Sequence, residues 1–143
     1  MARATYDDVN LIVKLYDMRR EERMRMARAW FAASFKAKTM EDFASLCPPG
    51  SEQNASYRMV VSYWEMVASF LTNGVLNAEL FYQSGRELLF VWERVRDLVP
   101  LVREQYQHPL EYKNTEAAAK AYIEWWNRQS PGAYDAFAKR VRG

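Results

Sequence analysis

Apolar residues recur every three to four positions along almost the whole chain, and no segment sustains strict alternation of apolar and polar residues. The first spacing belongs to one face of a helix and the second to a half-buried strand, so the pattern predicts an all-α protein. Most glycines and prolines fall between the periodic stretches, where they punctuate helices. A first helix is expected from about Asp8 to about Lys36, with Val9, Ile12, Val13 and Tyr16, then Ala27, Trp30, Phe31 and Ser34, on its packing face. Thr39 is a good N-cap for a short second helix through Leu46, and Asp42 stands where a capping-box partner belongs. Pro48-Pro49-Gly50-Ser51 is then a loop, because tandem proline cannot continue a helix.

A third helix is expected from about Asn54 to Asn73, with Gly74 as its stop. One of its stripes is Tyr57, Val60, Val61, Trp64, Val67, Ala68 and Leu71, and a second is Met59, Tyr63, Met66 and Phe70. A helix apolar on most sides is buried within its domain, so this one should be central. Asn77 caps a fourth segment that Gly85 breaks or bends and Pro100 kinks or briefly breaks, and His108-Pro109 ends it. Thr115 is the expected cap of a fifth helix, and Ser130-Pro131 the start of the last. The result is one domain over residues 1–143: an irregular bundle of five or six helices around a central buried helix.

Composition supports a packed core, since half the residues are hydrophobic and 15% are aromatic. The net charge of +2 is too small to point to nucleic acid. The lone Cys47 excludes an internal disulfide and fits a reducing cytoplasm. The first residues lack the apolar core of a signal peptide, and no run reaches the ~20 apolar residues of a spanning helix. A peripheral membrane contact stays open, although Asp7, Asp8 and Asp17 oppose it near anionic lipid.

Catalytic constellations are scarce. A single histidine, His108, beside a proline, cannot supply a di-metal bundle or a zinc cluster. No nucleophile elbow or phosphate-binding glycine loop is present. Neither an enzyme, a metal nor a cofactor is expected. Val61-Ser62-Tyr63-Trp64-Glu65-Met66-Val67 resembles Leu89-Phe90-Val91-Trp92-Glu93-Arg94-Val95, and two acids on facing helices are one way to build an acid–base pair. Helical spacing instead puts both tryptophans on the core face and both glutamates towards the polar side, Glu93 with Arg86 and Asp97.

Two features of the first helix point to binding. Arg19, Arg20 and Arg23 interrupt its apolar face, and such charges must be solvated, ion-paired to another helix or partner, or held for an anionic ligand. Leu11, Leu15 and Met18 form a second apolar stripe, extended by Met26, Ala29 and Ala33. A helix of about 29 residues would span about 44 Å, more than the domain needs, so its first half should project and pair with a second copy through that stripe. The leading expectation is therefore a non-enzymatic interaction or scaffold domain acting as a homodimer. The alternative is a small-ligand-binding domain with a pocket between helices near Trp64, Trp92 and the helix-one arginines.

Ser62-Tyr63-Trp64-Glu65-Met66-Val67-Ala68, Leu71, Gly74-Val75-Leu76-Asn77, and Val91-Trp92-Glu93-Arg94-Val95 with Leu98-Val99-Pro100 resemble a widespread bacterial helical family catalogued as a domain of unknown function. The resemblance implies the helical core and carries no catalytic or binding residue. Many members of that family start with a transmembrane helix, where this sequence has a charged amphipathic one.

Overall fold

A computed structural model describes residues 3–143. Its secondary structure is helical throughout, with no strand among the described residues: α1 (Tyr6–Arg19), α2 (Glu22–Ser34), α3 (Met40–Leu46), α4 (Glu52–Thr72), α5 (Ala78–Tyr82), α6 (Glu87–Val95), α7 (Val99–Gln105), α8 (Lys113–Gln129) and α9 (Ala133–Arg142). The all-α bundle is as the periodicity predicts. The count is higher than five or six because two long expected helices are divided.

α4 is the central helix. It packs most extensively on α2 and α8, while α6 and α9 pack on α8 and on each other. Trp64, Val67 and Ala68 on α4 have no exposed surface. Ser51 caps α4 by accepting the Asn54 amide, and Thr39 caps α3 by accepting that of Asp42. The sequence places both elements within about two residues, the usual uncertainty of a helix end.

The first division lies at Arg20–Glu21. In a continuous helix the Arg23 amide would donate to the Arg19 carbonyl. Here that amide donates to the Glu21 carboxylate at 2.9 Å, and the Arg19 carbonyl accepts from the Arg28 guanidinium at 3.1 Å. Both halves of the missing bond are thus satisfied by side chains, and the expected projecting 44 Å rod does not exist. The second division gives α5, α6 and α7. Gly85 separates the first two because a Cβ there would stand 2.2 Å from the Phe81 ring. The short break expected at Pro100 lies just before it, at residues 96–98 between α6 and α7, and Pro100 sits in the first turn of α7, where no amide is needed.

Thr115 does not cap the next helix. α8 begins at Lys113, after Tyr112 in the left-handed region at φ 62°, and its capping groups come from α4, as described below. The last helix starts after Gly132 rather than at Pro131.

Candidate functional site

The sequence offers three places to look: the α1 stripes, the helix-one arginines and the two Trp-Glu pairs. The structure keeps both tryptophans in the core, as expected, and departs from expectation at α1 and at Glu93.

On α1 the inward and outward stripes are exchanged. Leu15 is buried and Leu11 half-buried, so this stripe faces the bundle. The Tyr63 hydroxyl of α4 donates to the Leu15 carbonyl at 2.6 Å. Asp8 lies on the same inner face, accepting the Thr5 amide within its own cap and the Asn77 amide before α5, each at 2.8 Å. A polar residue therefore anchors the buried side, which hydropathy alone does not reveal. Of the stripe expected to pack, Ile12 is half-buried against the core, while Val9 is 43% exposed, Val13 58% and Tyr16 52%, and Tyr6 beside them is 86% exposed. Only Met18 of the expected interface trio remains exposed, beside a shallow groove with Met24, Met59 and Met66. Substituting Leu11 and Leu15 by Glu would disrupt the fold rather than split an assembly, since Leu15 is core.

The arginines divide as well. Arg19 is half-buried and lies over the rings of Tyr16 and Trp64, 5.2 and 5.1 Å from their centroids. Arg20 stacks on the other side of the turn, 5.8 Å from Tyr16. Arg23 is exposed, with no ion pair among the described residues. The three do not converge, and neither Trp64 nor Trp92 lines a pocket with them. Trp64 is fully enclosed and Trp92 is 4% exposed, so both are core side chains.

A groove of about 580 Å³ lies elsewhere, between α2, α6 and α9. Its floor is Phe31, Val60, Val91 and Phe137, and three other arginines, Arg25, Arg28 and Arg86, stand around it. Arg28 is already occupied. It makes two 2.7 Å hydrogen bonds to the Glu87 carboxylate, which raise its pKa above the ordinary arginine value.

The two glutamates are also far apart in role. Glu65 accepts from the Asn114 amide and side chain and from the Thr115 amide and hydroxyl, at 2.7–3.0 Å. It is the cap of α8, supplied by another helix. Glu93 is not on the polar side. Its carboxylate is completely enclosed, accepts the Tyr134 hydroxyl, and pairs with Arg96 at 3.2 Å and Arg142 at 3.3 Å. Burial and the Glu93 carboxylate push Tyr134 well above the usual phenol range, so the phenol keeps its proton. Each acid is engaged in structural bonds, and nothing aligns the two as an acid–base pair.

Remaining reactive groups are equally committed. Cys47 is buried, and desolvation pushes its thiol up to about 11, the wrong direction for a nucleophile. The buried hydroxyls of Tyr57 and Tyr112 bond to each other. Among the described residues no group of three His, Cys, Asp or Glu side chains is placed to hold a metal, and no helix is long and apolar enough to cross a membrane.

A family model described as a domain of unknown function (DUF4760) matches residues 4–138. No curated protein and no solved structure matches the chain.

Proposed function

The chain belongs to that family of unknown function, and on this premise we propose that it is a non-enzymatic, cytoplasmic interaction domain that pairs with a second copy of itself through the outer face of α1. The observation that carries the proposal is the exposed stripe Tyr6, Val9, Val13 and Tyr16. Four large apolar residues at three-four-three spacing make a continuous seam on one side of a helix.

The seam is self-complementary. Laid antiparallel about a two-fold axis, Tyr6 meets Tyr16 of the second copy and Val9 meets its Val13, so each large residue faces its like and each small one does too. Arg3 and Asp17 lie towards the seam's opposite ends, both exposed, and the antiparallel arrangement brings Arg3 towards Asp17 of the second copy, at the end where Arg19 and Arg20 stack on Tyr16. A parallel arrangement would set like charges together.

The helix is short. It offers less than the ~800 Å² per partner of a standard interface, so the pairing should be weak and concentration-dependent. A cytoplasmic setting is supported by the reduced, buried Cys47.

Sedimentation equilibrium over a wide concentration range tests the proposal. A monomer–dimer equilibrium is expected, abolished by Val9→Lys with Val13→Lys at unchanged helicity. Arg3→Glu should weaken it, and adding Asp17→Lys should restore it. A protein that stays monomeric at the highest attainable concentration, or a dimer indifferent to the valine pair, would overturn it.

A further inference from the structure

We infer that the groove between α2 and α6 is a binding slot for a small amphiphile with one carboxylate head and a compact apolar body. The inference is independent of self-association, because the slot shares no residue with the α1 seam.

The slot has defined ends. α2 and α6 do not pack directly on each other but are joined across the slot by two guanidinium bridges. At one end Arg28 of α2 holds Glu87 of α6. At the other, Arg94 of α6 donates to the carbonyls of Phe31, Ala32 and Phe35 at 3.0–3.2 Å, closing the C-terminal turn of α2, and its guanidinium lies 4.5 Å from the Phe90 ring centroid. From Glu87 to Arg94 is two turns of α6, about 10 Å. An α-helix is itself ~10–12 Å wide with its side chains. A partner helix lying along the groove would have to break a bridge, whereas a compact molecule fits between them. The volume of about 580 Å³ lies in the ordinary range for small-molecule sites.

The walls have the right chemistry for the body. Ala29 and Ala32 on α2 are exposed and small, leaving open space above the buried Phe31 and Phe137 and beside Phe90. Larger residues at these two positions would fill the slot from the helix side.

Charge complementarity fixes the head. Arg25 and Arg86 stand at the slot with no carboxylate partner among the described residues. Arg86 is steadied by stacking 4.8 Å from the Trp126 ring centroid. Their neighbour Arg28 shows what the site accepts, since it binds the Glu87 carboxylate with two bonds. Arg25 precedes Arg28 by one turn and Arg86 adjoins Glu87, so a carboxylate head at the Arg28–Glu87 end of the slot would meet two further guanidiniums, each able to hold a planar anion.

Titration calorimetry with 2-naphthoate, a compact carboxylate, and with 2-naphthylmethanol as the uncharged analogue, tests the slot. The naphthoate should bind once per chain, at least about tenfold more tightly than the alcohol, as two lost charge-assisted hydrogen bonds imply. Arg25→Gln with Arg86→Gln should erase that difference and leave the alcohol unchanged. Ala32→Trp should abolish both, with Ala29→Phe as the alternative filling variant if the first does not fold. No saturable naphthoate binding, binding unaffected by the filling variants, or a preference for anionic vesicles over free naphthoate would each overturn the inference. The last would reassign the arginines to a lipid surface.

Discussion

Trp64-Glu65 on α4 and Trp92-Glu93 on α6 are the same dipeptide in nearly the same local sequence, and the structure uses half of each pair alike and half differently. Both tryptophans are enclosed, at 0% and 4% exposure. Their glutamates are employed in opposite ways. Glu65 reaches across to the first turn of α8 and accepts backbone and side-chain donors there. Glu93 is sealed behind Arg96, Arg142 and Tyr134. A core face is a property of one helix, because periodicity alone decides which side is apolar. A carboxylate's role is a property of whatever other elements bring to it: a helix N-terminus in one case, a C-terminal arginine and a tyrosine of α9 in the other.

The common half of the comparison gives the largest expected effects. Trp64→Ala and Trp92→Ala should each destabilise by about 3–5 kcal/mol, through lost burial plus the cavity left behind. Denaturant unfolding measures both. A loss below about 1 kcal/mol at either position would end the equivalence of the two tryptophans.

The differing half predicts unequal losses. Glu93→Gln keeps an amide oxygen but removes the buried charge that Arg96 and Arg142 pair with and puts an NH2 among their donors, though both arginines are partly exposed and Arg142 keeps Asp97. A cost of about 2–3 kcal/mol is expected, at or just below the low end for breaking a buried pair. Glu65→Gln keeps an amide oxygen at the start of α8 and loses only the anion, for about 1 kcal/mol. Equal costs, measured by the same unfolding experiment, would show that the two carboxylates do the same work after all.

Asp8 sharpens the comparison, because it resembles Glu65 in serving backbone amides between elements. Hydrogen bonds from the Asn77 and Thr5 amides hold its carboxyl below the usual value of 3.8. A depressed folded-state pKa stabilises above the unfolded value, and the contribution is lost as pH falls through the folded one. Asp8→Asn should therefore be less stable than the parent near neutrality, with the gap narrowing below about pH 4. A gap that stays constant down to pH 3 in thermal melts would remove Asp8 from this class. This is the smallest of the three effects.

What could be read from the chain is whatever depends on residues close together in sequence. Thr39 announced α3, because a hydroxyl meets an amide three residues on whatever lies beyond. The central position of α4 followed from apolar residues on most of its sides. The break in the first helix was not legible, since the Arg19 carbonyl is claimed by Arg28, which is itself held by Glu87. Nor was the cap of α8, because no residue beside it in sequence provides one.

The candidate site divides along the same line. Sequence supplied two apolar stripes on α1 and a surplus of arginines, but most of the stripe expected to pack is outside, and Asp8 pins the other face to the Asn77 amide. The slot between α2 and α6 is lined by both Arg25 and Arg86, which no periodicity relates. Sequence by itself determined that the chain is helical, where its central helix lies and that Trp64 and Trp92 are core, because short-range hydrogen bonding and amphipathicity act within one element. Only the tertiary structure decided where the first helix breaks, which side of α1 faces outward and which charges converge. Those outcomes depend on donors and acceptors that meet across tens of residues, and an acceptor takes whichever donor the packing brings within reach.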